Sequence, residues 1–174
     1  WLAVLHDPKE TLPPSDRGAL EALIRAGKRQ RVAVELLTRE DLPSLLEYDA
    51  LFIRETTAID HHTYRFAHKA ETEGIPVIDD TRSIIRCSNK VFLNELLTAR
   101  GIRVPAATVI DRQKARHIEK ALQFPVILKI PDGSFSRGVV KADNLQEYRK
   151  HLTTFFKDSE ILLIQEFLPS DYDW

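Results

Sequence analysis

The chain has 174 residues, of which 43% are hydrophobic and 29% charged, with one Cys, nine Pro, six Gly and no Met. That balance excludes a disordered tail or a collagen-like repeat, and a formal charge of −1 from 25 basic and 26 acidic residues argues against a dedicated nucleic-acid binder, whose affinity rests on an excess of Lys and Arg. A single Cys cannot close an intramolecular disulfide and no apolar run approaches the roughly 20 residues of a bilayer-spanning helix, so a cytoplasmic protein without membrane association is expected.

The chain opens on Trp1-Leu2-Ala3-Val4-Leu5, inside an apolar run and without Met, and stops at Asp171-Tyr172-Asp173-Trp174; it reads as an excised piece of a longer protein. Residues 2–6 form a first strand. Pro13-Pro14-Ser15-Asp16 then gives a turn and a helix cap, followed by Leu20, Leu23 and Ile24 at helical spacing, with Gly27 weakening the helix near its end. Residues 31–37 and 50–53 read as a second and a third strand. Residues 61–73 read as a helix closed by Gly74, and residues 75–78 as a fourth strand ending at Asp79-Asp80. Strands alternating with helices predict a parallel sheet covered on its faces.

The pattern changes after Asp80. Residues 88–100 form a helix with Leu93, Leu96 and Leu97 on one stripe and Gly101 as its stop. Residues 102–110 read as a strand that Pro105 confines to a sheet edge, and residues 113–123 as a helix. Residues 124–130 and 137–141 are two strands joined by Pro131-Asp132-Gly133-Ser134-Phe135-Ser136. Asp143 is placed to cap a helix carrying Leu145, Tyr148, Leu152, Phe155 and Phe156, and residues 161–165 form a last apolar strand. Here the layout is α+β.

Lys129 lies within the apolar run Val126-Ile127-Leu128-Lys129-Ile130. A strand buried on both faces does not hold an ammonium without an opposite charge, since desolvation costs several kcal/mol; the plain alternative is a lysine reaching the surface from an edge strand. Four residues on, Gly133-Ser134-Phe135-Ser136-Arg137-Gly138 lets backbone N–H groups approach an anion, with hydroxyl donors from Ser134 and Ser136, although a simple hairpin turn has the same composition. A Walker A loop would continue with Lys and Ser or Thr into a helix, whereas Val139-Val140 opens a strand. A protein kinase places its glycine loop ahead of the strand lysine, and here it follows. Lys90 opens a helix, where an ammonium is unfavourable unless an anion is shared with the free N–H groups. Gln165-Glu166-Phe167-Leu168-Pro169 ends the last apolar strand, where backbone groups could meet a base edge.

These features, in this order, resemble the ATP-grasp superfamily over nearly the whole chain. The βαβα lead-in is similar to its pre-ATP-grasp domain. Ser88-Asn89-Lys90 resembles its helix start with a first nucleotide lysine, and Val126-Ile127-Leu128-Lys129 its strand with the second. Asp132 to Val139 resembles the glycine-rich phosphate flap, Gln165-Glu166-Phe167-Leu168 the adenine hinge, and Asp171-Tyr172-Asp173 the acidic segment that reaches the nucleotide. Within the superfamily the chain is most similar to RimK-type ligases and glutathione synthetases; Phe52-Ile53-Arg54-Glu55-Thr56 occupies the place of their Arg-containing loop. Asn89, where RimK has Asp, and a flap with two glycines are departures.

The resemblance implies an α/β fold: a parallel pre-ATP-grasp lead-in domain over residues 1–87, then the α+β N-terminal lobe of an ATP-grasp domain over residues 88–174, with the C-terminal lobe missing. It implies an ATP- and Mg2+-dependent carboxylate–amine ligase acting through an acyl phosphate, inert as this piece alone. Lys90, Lys129, Gly133, Ser134, Ser136, Gly138, Glu166, Phe167 and Asp173 are the implied nucleotide contacts and Arg54 an implied substrate contact, with the metal ligands expected beyond Trp174. Partners would be ATP, a small acid or a peptide or protein carboxylate, and an amine; the family likeness leans towards a homo-oligomer. The alternative function is an inactive nucleotide-binding or protein-interaction module of the same fold.

Other residues rank lower. His61, His62 and His68 share a helix but match no metal spacing such as H-E-x-x-H. Cys87 reads as a small, at least half-buried residue. Arg25, Lys28, Arg29 and Arg31 read as a solvated helix end. Asp79-Asp80 either line a cleft at the end of a parallel strand or start a turn.

Overall fold

The structure is a computed structural model describing residues 1–132 and 138–171. The chain divides into two compact units, Trp1–Ile85 and Arg86–Trp174.

The first unit holds a four-stranded parallel sheet in the order β2-β1-β3-β4, made of β1 (Leu2–Leu5), β2 (Val34–Leu37), β3 (Ala50–Ile53) and β4 (Val77–Ile78). Helix α1 (Arg17–Arg29) connects β1 to β2. A 3-10 segment (Arg39–Glu47) leads to β3, and α2 (His62–Thr72) connects β3 to β4. Ala3, Leu5, Leu51 and Ile53 from the sheet pack with Leu45, Phe66, Ala67 and Ala70. The second strand starts three residues later than the 31–37 expected, because Arg31 adopts φ 58° and turns the chain out of α1. Gly27 has a packing role rather than a merely weakening one: a Cβ there would lie 2.3 Å from Val34 Cγ2 and 2.9 Å from the Val32 carbonyl. Asp16 caps α1 by accepting from the Ala19 amide at 2.7 Å.

Helix α3 (Thr81–Ser88) follows, where the sequence pattern suggested none. Asp80 accepts from the Ser83 amide at 2.6 Å and so starts the helix, which decides between the two readings of Asp79-Asp80. The domain boundary expected at 87/88 falls inside α3. Cys87 is exposed, contrary to the burial expected of it, because α3 buries only Ile84.

The second unit holds a sheet in the order β5-β8-β6-β7, antiparallel throughout: β5 (Ala107–Ile110), β6 (Val126–Lys129), β7 (Val139–Ala142) and β8 (Leu162–Glu166). β5 takes the edge that Pro105 requires. Helices α4 (Lys90–Ala99), α5 (Arg112–His117) and α6 (Leu145–Phe155) complete the unit. The helix expected over 113–123 is broken, with α5 followed by a 3-10 turn at Glu119–Ala121. The cap of α6 is Asn144, accepting from the Glu147 amide at 3.0 Å, rather than Asp143; Asp143 instead pairs with Lys141 at 2.7 Å.

Val126 and Leu128 point towards α5 and α6, into a core with Ala115, Tyr148, Leu152, Phe155 and Phe156. The stripe on α6 is thus buried as its spacing predicts. The Leu93, Leu96 and Leu97 stripe on α4 is only half-buried, and α4 contains no buried residue.

Candidate functional site

Strand β6 reads buried, half-buried, buried, half-buried from Val126 to Lys129. Its two faces therefore differ, and the strand is not buried on both sides. Leu128 faces the core while Lys129 faces the other side of the sheet. Register places Val139 and Leu163 directly beside Lys129, and Lys141 and Gln165 beside Ile127. Paired residues share a face, so Lys129 and Lys141 project from the same surface, away from α5 and α6. Phe167, just past β8, lies under the Lys141 ammonium, which sits 4.6 Å from its ring centroid.

Lys90 is the first residue of α4. Asn89 ahead of it is the N-cap, accepting from the Val91 and Phe92 amides, both at 3.0 Å. Its Nδ2 donates to Asp132 Oδ1 at 2.7 Å, and the Lys90 amide donates to the carbonyl of buried Pro131 at 2.9 Å. Two successive residues past β6, Pro131 and Asp132, are thereby held against the start of α4. Burial lowers the Lys90 ammonium from its ordinary value, the Lys129 charge lowers it further, and Asp132 opposes both. Burial also lowers Lys129. Among the described residues no carboxylate pairs with Lys129. Two half-buried ammonium groups thus stand close enough to feel each other, an arrangement that a polyanion would relieve.

Gly138 re-enters the sheet at φ 72°, its carbonyl accepting from the Ile130 amide at 2.7 Å. A Cβ there would lie 2.9 Å from Ile130 Cβ, so glycine is needed both for its conformation and for space. Glu166 Oε1 accepts from the Ala106 amide at 2.6 Å, beside the backbone bond from the Glu166 amide to the Ala106 carbonyl at 2.9 Å. The structure therefore brings Lys90, Lys129 and Gly138 to one end of β6 and places Phe167 on the Lys129 face. Gly133, Ser134, Ser136 and Asp173 lie outside the described residues. Lys141 is a contributor that the motif reading missed, and strand alternation two residues beyond Val139 was the available signal for it; Asn89, noted there as a departure from Asp, is the cap that ties α4 to Asp132. A separate cavity of about 500 Å³, lined by Arg112, Arg116 and Arg149, lies with α5 and α6 and so on the opposite face.

Arg54 lies in the first unit. Its Nε donates to Ser15 Oγ at 2.7 Å and its Nη2 to the Pro14 carbonyl at 2.9 Å, with the guanidinium 5.1 Å from the Phe52 ring centroid. It pins the turn before α1. Next to it, Glu55 is buried, with its side chain 1% exposed, and Oε2 lies 2.5 Å from His62 Nε2. Burial, then the Asp7, Glu10 and Glu40 charges, pushes the Glu55 carboxyl up to about 7; burial likewise pushes His62 down. His61 adjoins them, with ring centroids 3.9 Å apart, while His68 instead lies 6.3 Å from Tyr64.

Residues 87–172 match the RimK-like ATP-grasp domain model. The chain is 39% identical over 105 residues to the alpha-aminoadipate–LysW ligase LysX of Saccharolobus solfataricus, covering 56% of this chain and 38% of that protein. It is 31% identical over 134 residues to the LysX of Sulfolobus acidocaldarius, covering 72% of this chain and 46% of that one. It thus spans less than half the length of these curated relatives. The crystal structure of a RimK domain ATP-grasp protein from Sphaerobacter thermophilus superimposes with a TM-score of 0.77 over 98% of this chain and 64% of that one, at 17% identity, a likeness of fold. The sequence match over residues 87–172, with the likeness to the LysX ligases, places this part of the chain in the RimK-like ATP-grasp family.

Proposed function

We propose that this chain is the nucleotide-holding part of an ATP-dependent carboxylate–amine ligase. The observation that carries this reading is the pair Lys90 and Lys129, both half-buried and both at the end of β6 where the Lys90 amide bonds Pro131. A substrate carboxylate attacks the γ-phosphate, giving an acyl phosphate and ADP; an amine then displaces inorganic phosphate and an amide forms. Such transfer needs positioned cations and N–H donors around the phosphoryl oxygens rather than a covalent nucleophile. Lys90 and Lys129 supply the charge, the residues from Gly133 to Gly138 the flap, and the Phe167 segment the base contact. Magnesium, when bound with the nucleotide, would supply charge neutralisation to the phosphate oxygens; Asp132, committed to Asn89, is not assigned to hold it.

The relatives' names make alpha-aminoadipate with LysW the first substrates to test. Phosphate release by the full-length protein, with ATP, Mg2+ and these acceptors, is expected to require Lys129. Unchanged turnover in Lys129→Ala would remove the central residue of the reading.

A further inference from the structure

We propose that Glu55, His61 and His62 form a binding site for a divalent transition-metal ion, best matched by Zn2+, at the carboxyl edge of the first sheet. Three donor atoms, one from each residue, lie within 4.8 Å of one another. They belong to neighbouring elements: Glu55 stands two residues past β3, while His61 and His62 open α2. The adjoining cavity of about 180 Å³ is also lined by His6 and Asp7 after β1 and by Thr38 and Arg39 after β2. The chain crosses from β1 to β2 on one side and to β3 on the other, so the cavity sits where a parallel sheet reverses its strand order, the favoured ligand position in such folds.

The second observation concerns one atom. Glu55 Oε1 is buried and makes no hydrogen bond. An unmet carboxylate oxygen in a protein interior is costly, and natural interiors seldom leave one. Its partner oxygen faces His62 Nε2 across 2.5 Å, a contact with room for one proton between the two atoms. An ion replaces that proton and takes the lone pairs of both atoms. It also places a positive charge against the carboxylate whose Oε1 makes no hydrogen bond.

The supporting contacts fit a metal centre. His61 Nδ1 lies 3.1 Å from Thr63 Oγ1, and Thr63 is fully buried. A ligating histidine commonly gives its other ring N–H to an oxygen in this way, which sets its orientation; His61 Nε2 is then the donor to the ion. Two imidazoles and a carboxylate are the three-ligand set that zinc uses when a fourth position stays open. The cavity, at roughly 30 Å³ per water, has room for water or a small ligand there. Donors on one tetrahedral zinc stand about 3.3 Å apart. Binding must therefore widen the Glu55–His62 contact and draw His61 inwards by small side-chain rotations.

The site uses residues of the first unit alone, and its test does not depend on ligase activity. The metal-stripped chain is titrated with Zn2+ by calorimetry and with Co2+ by visible absorption. One equivalent is expected to bind, with the intense Co2+ bands of tetrahedral coordination. Glu55→Gln and His62→Ala should each weaken binding by more than about tenfold, the loss that even a supporting contact causes at such sites. His68→Ala and Cys87→Ser should leave it unchanged. Absence of stoichiometric uptake by the native chain, weak octahedral Co2+ bands, retained affinity in Glu55→Gln and His62→Ala, or loss in Cys87→Ser would each overturn the assignment. The Co2+ spectrum of the native chain decides the matter even where a variant fails to fold.

Discussion

The backbone amide of Lys90 donates to the carbonyl of Pro131 at 2.9 Å, fastening the first residue of α4 two positions beyond Lys129. Asn89 reinforces the join by capping α4 and bonding Asp132. Replacing Asn89 with Ala removes both functions of that side chain. Lost N-capping typically costs about 1 kcal/mol, and chemical denaturation should show a loss of that size or larger. Asn89→Asp keeps the capping oxygen but sets a carboxylate against Asp132, so it should recover only part of the loss.

Lys129→Met should separate stability from nucleotide binding. Burial disfavours the charged ammonium in the folded protein, and among the described residues no carboxylate compensates it. The melting temperature of Lys129→Met is therefore expected to equal or exceed that of the native chain. Affinity for an ATP analogue, followed by calorimetry, should fall by about tenfold or more, equivalent to about 1.4 kcal/mol. A variant that melts earlier and binds normally would contradict both expectations.

The same two lysines set an alkaline pH dependence. Their folded-state values lie below the ordinary 10.5, lowered by burial in both and in Lys90 also by Lys129, with Asp132 opposing. Between those values and 10.5 the unfolded chain holds more protons than the folded one. Their contribution to stability therefore rises with pH through that window. Polyphosphate affinity should fall over the same window as the ammonium charge is lost. Melting curves and analogue titrations of the native protein and of a Lys90→Met/Lys129→Met variant would isolate the effect, since the variant should lack both trends.

Gly138→Ala should loosen the β6–β7 hairpin. The new Cβ would meet Ile130 at 2.9 Å in a backbone with φ 72°, and the left-handed conformation alone costs an L-residue about 1–2 kcal/mol. Hydrogen exchange at the Ile130 amide, which donates to the Gly138 carbonyl, is expected to accelerate. Tyr148→Phe offers a contrasting loss on the other face. Its buried hydroxyl donates to the Ala115 carbonyl at 3.1 Å, so about 1 kcal/mol should be lost with analogue affinity intact.

Much of the fold is legible because it is written in local spacing. Gly74 and Gly101 end their helices at positive φ, as a residue without Cβ allows. The apolar spacing of Tyr148, Leu152 and Phe155 marks the buried side of α6, and Pro105 foretells an edge strand. Asn144 rather than Asp143 as the cap of α6 shows the limit of that reading, since adjacent residues of equal capping ability differ only in backbone angles set by β7. Helix α3 went unread because a short segment with one buried residue, Ile84, carries too little periodicity.

The sequence by itself determined the order of strands and helices, the positions of the lysines and glycines, and hence the family, because these depend on residue type and near-neighbour spacing. Tertiary structure alone decided which residues meet. Lys129 faces out from β6 because β7 and β8 fix its register and α5 and α6 claim the opposite side. Glu55 reaches His61 and His62 because a parallel strand end and a helix start converge at one edge of a sheet. Such meetings depend on strand pairing and burial across distant parts of the chain, and no local pattern encodes them.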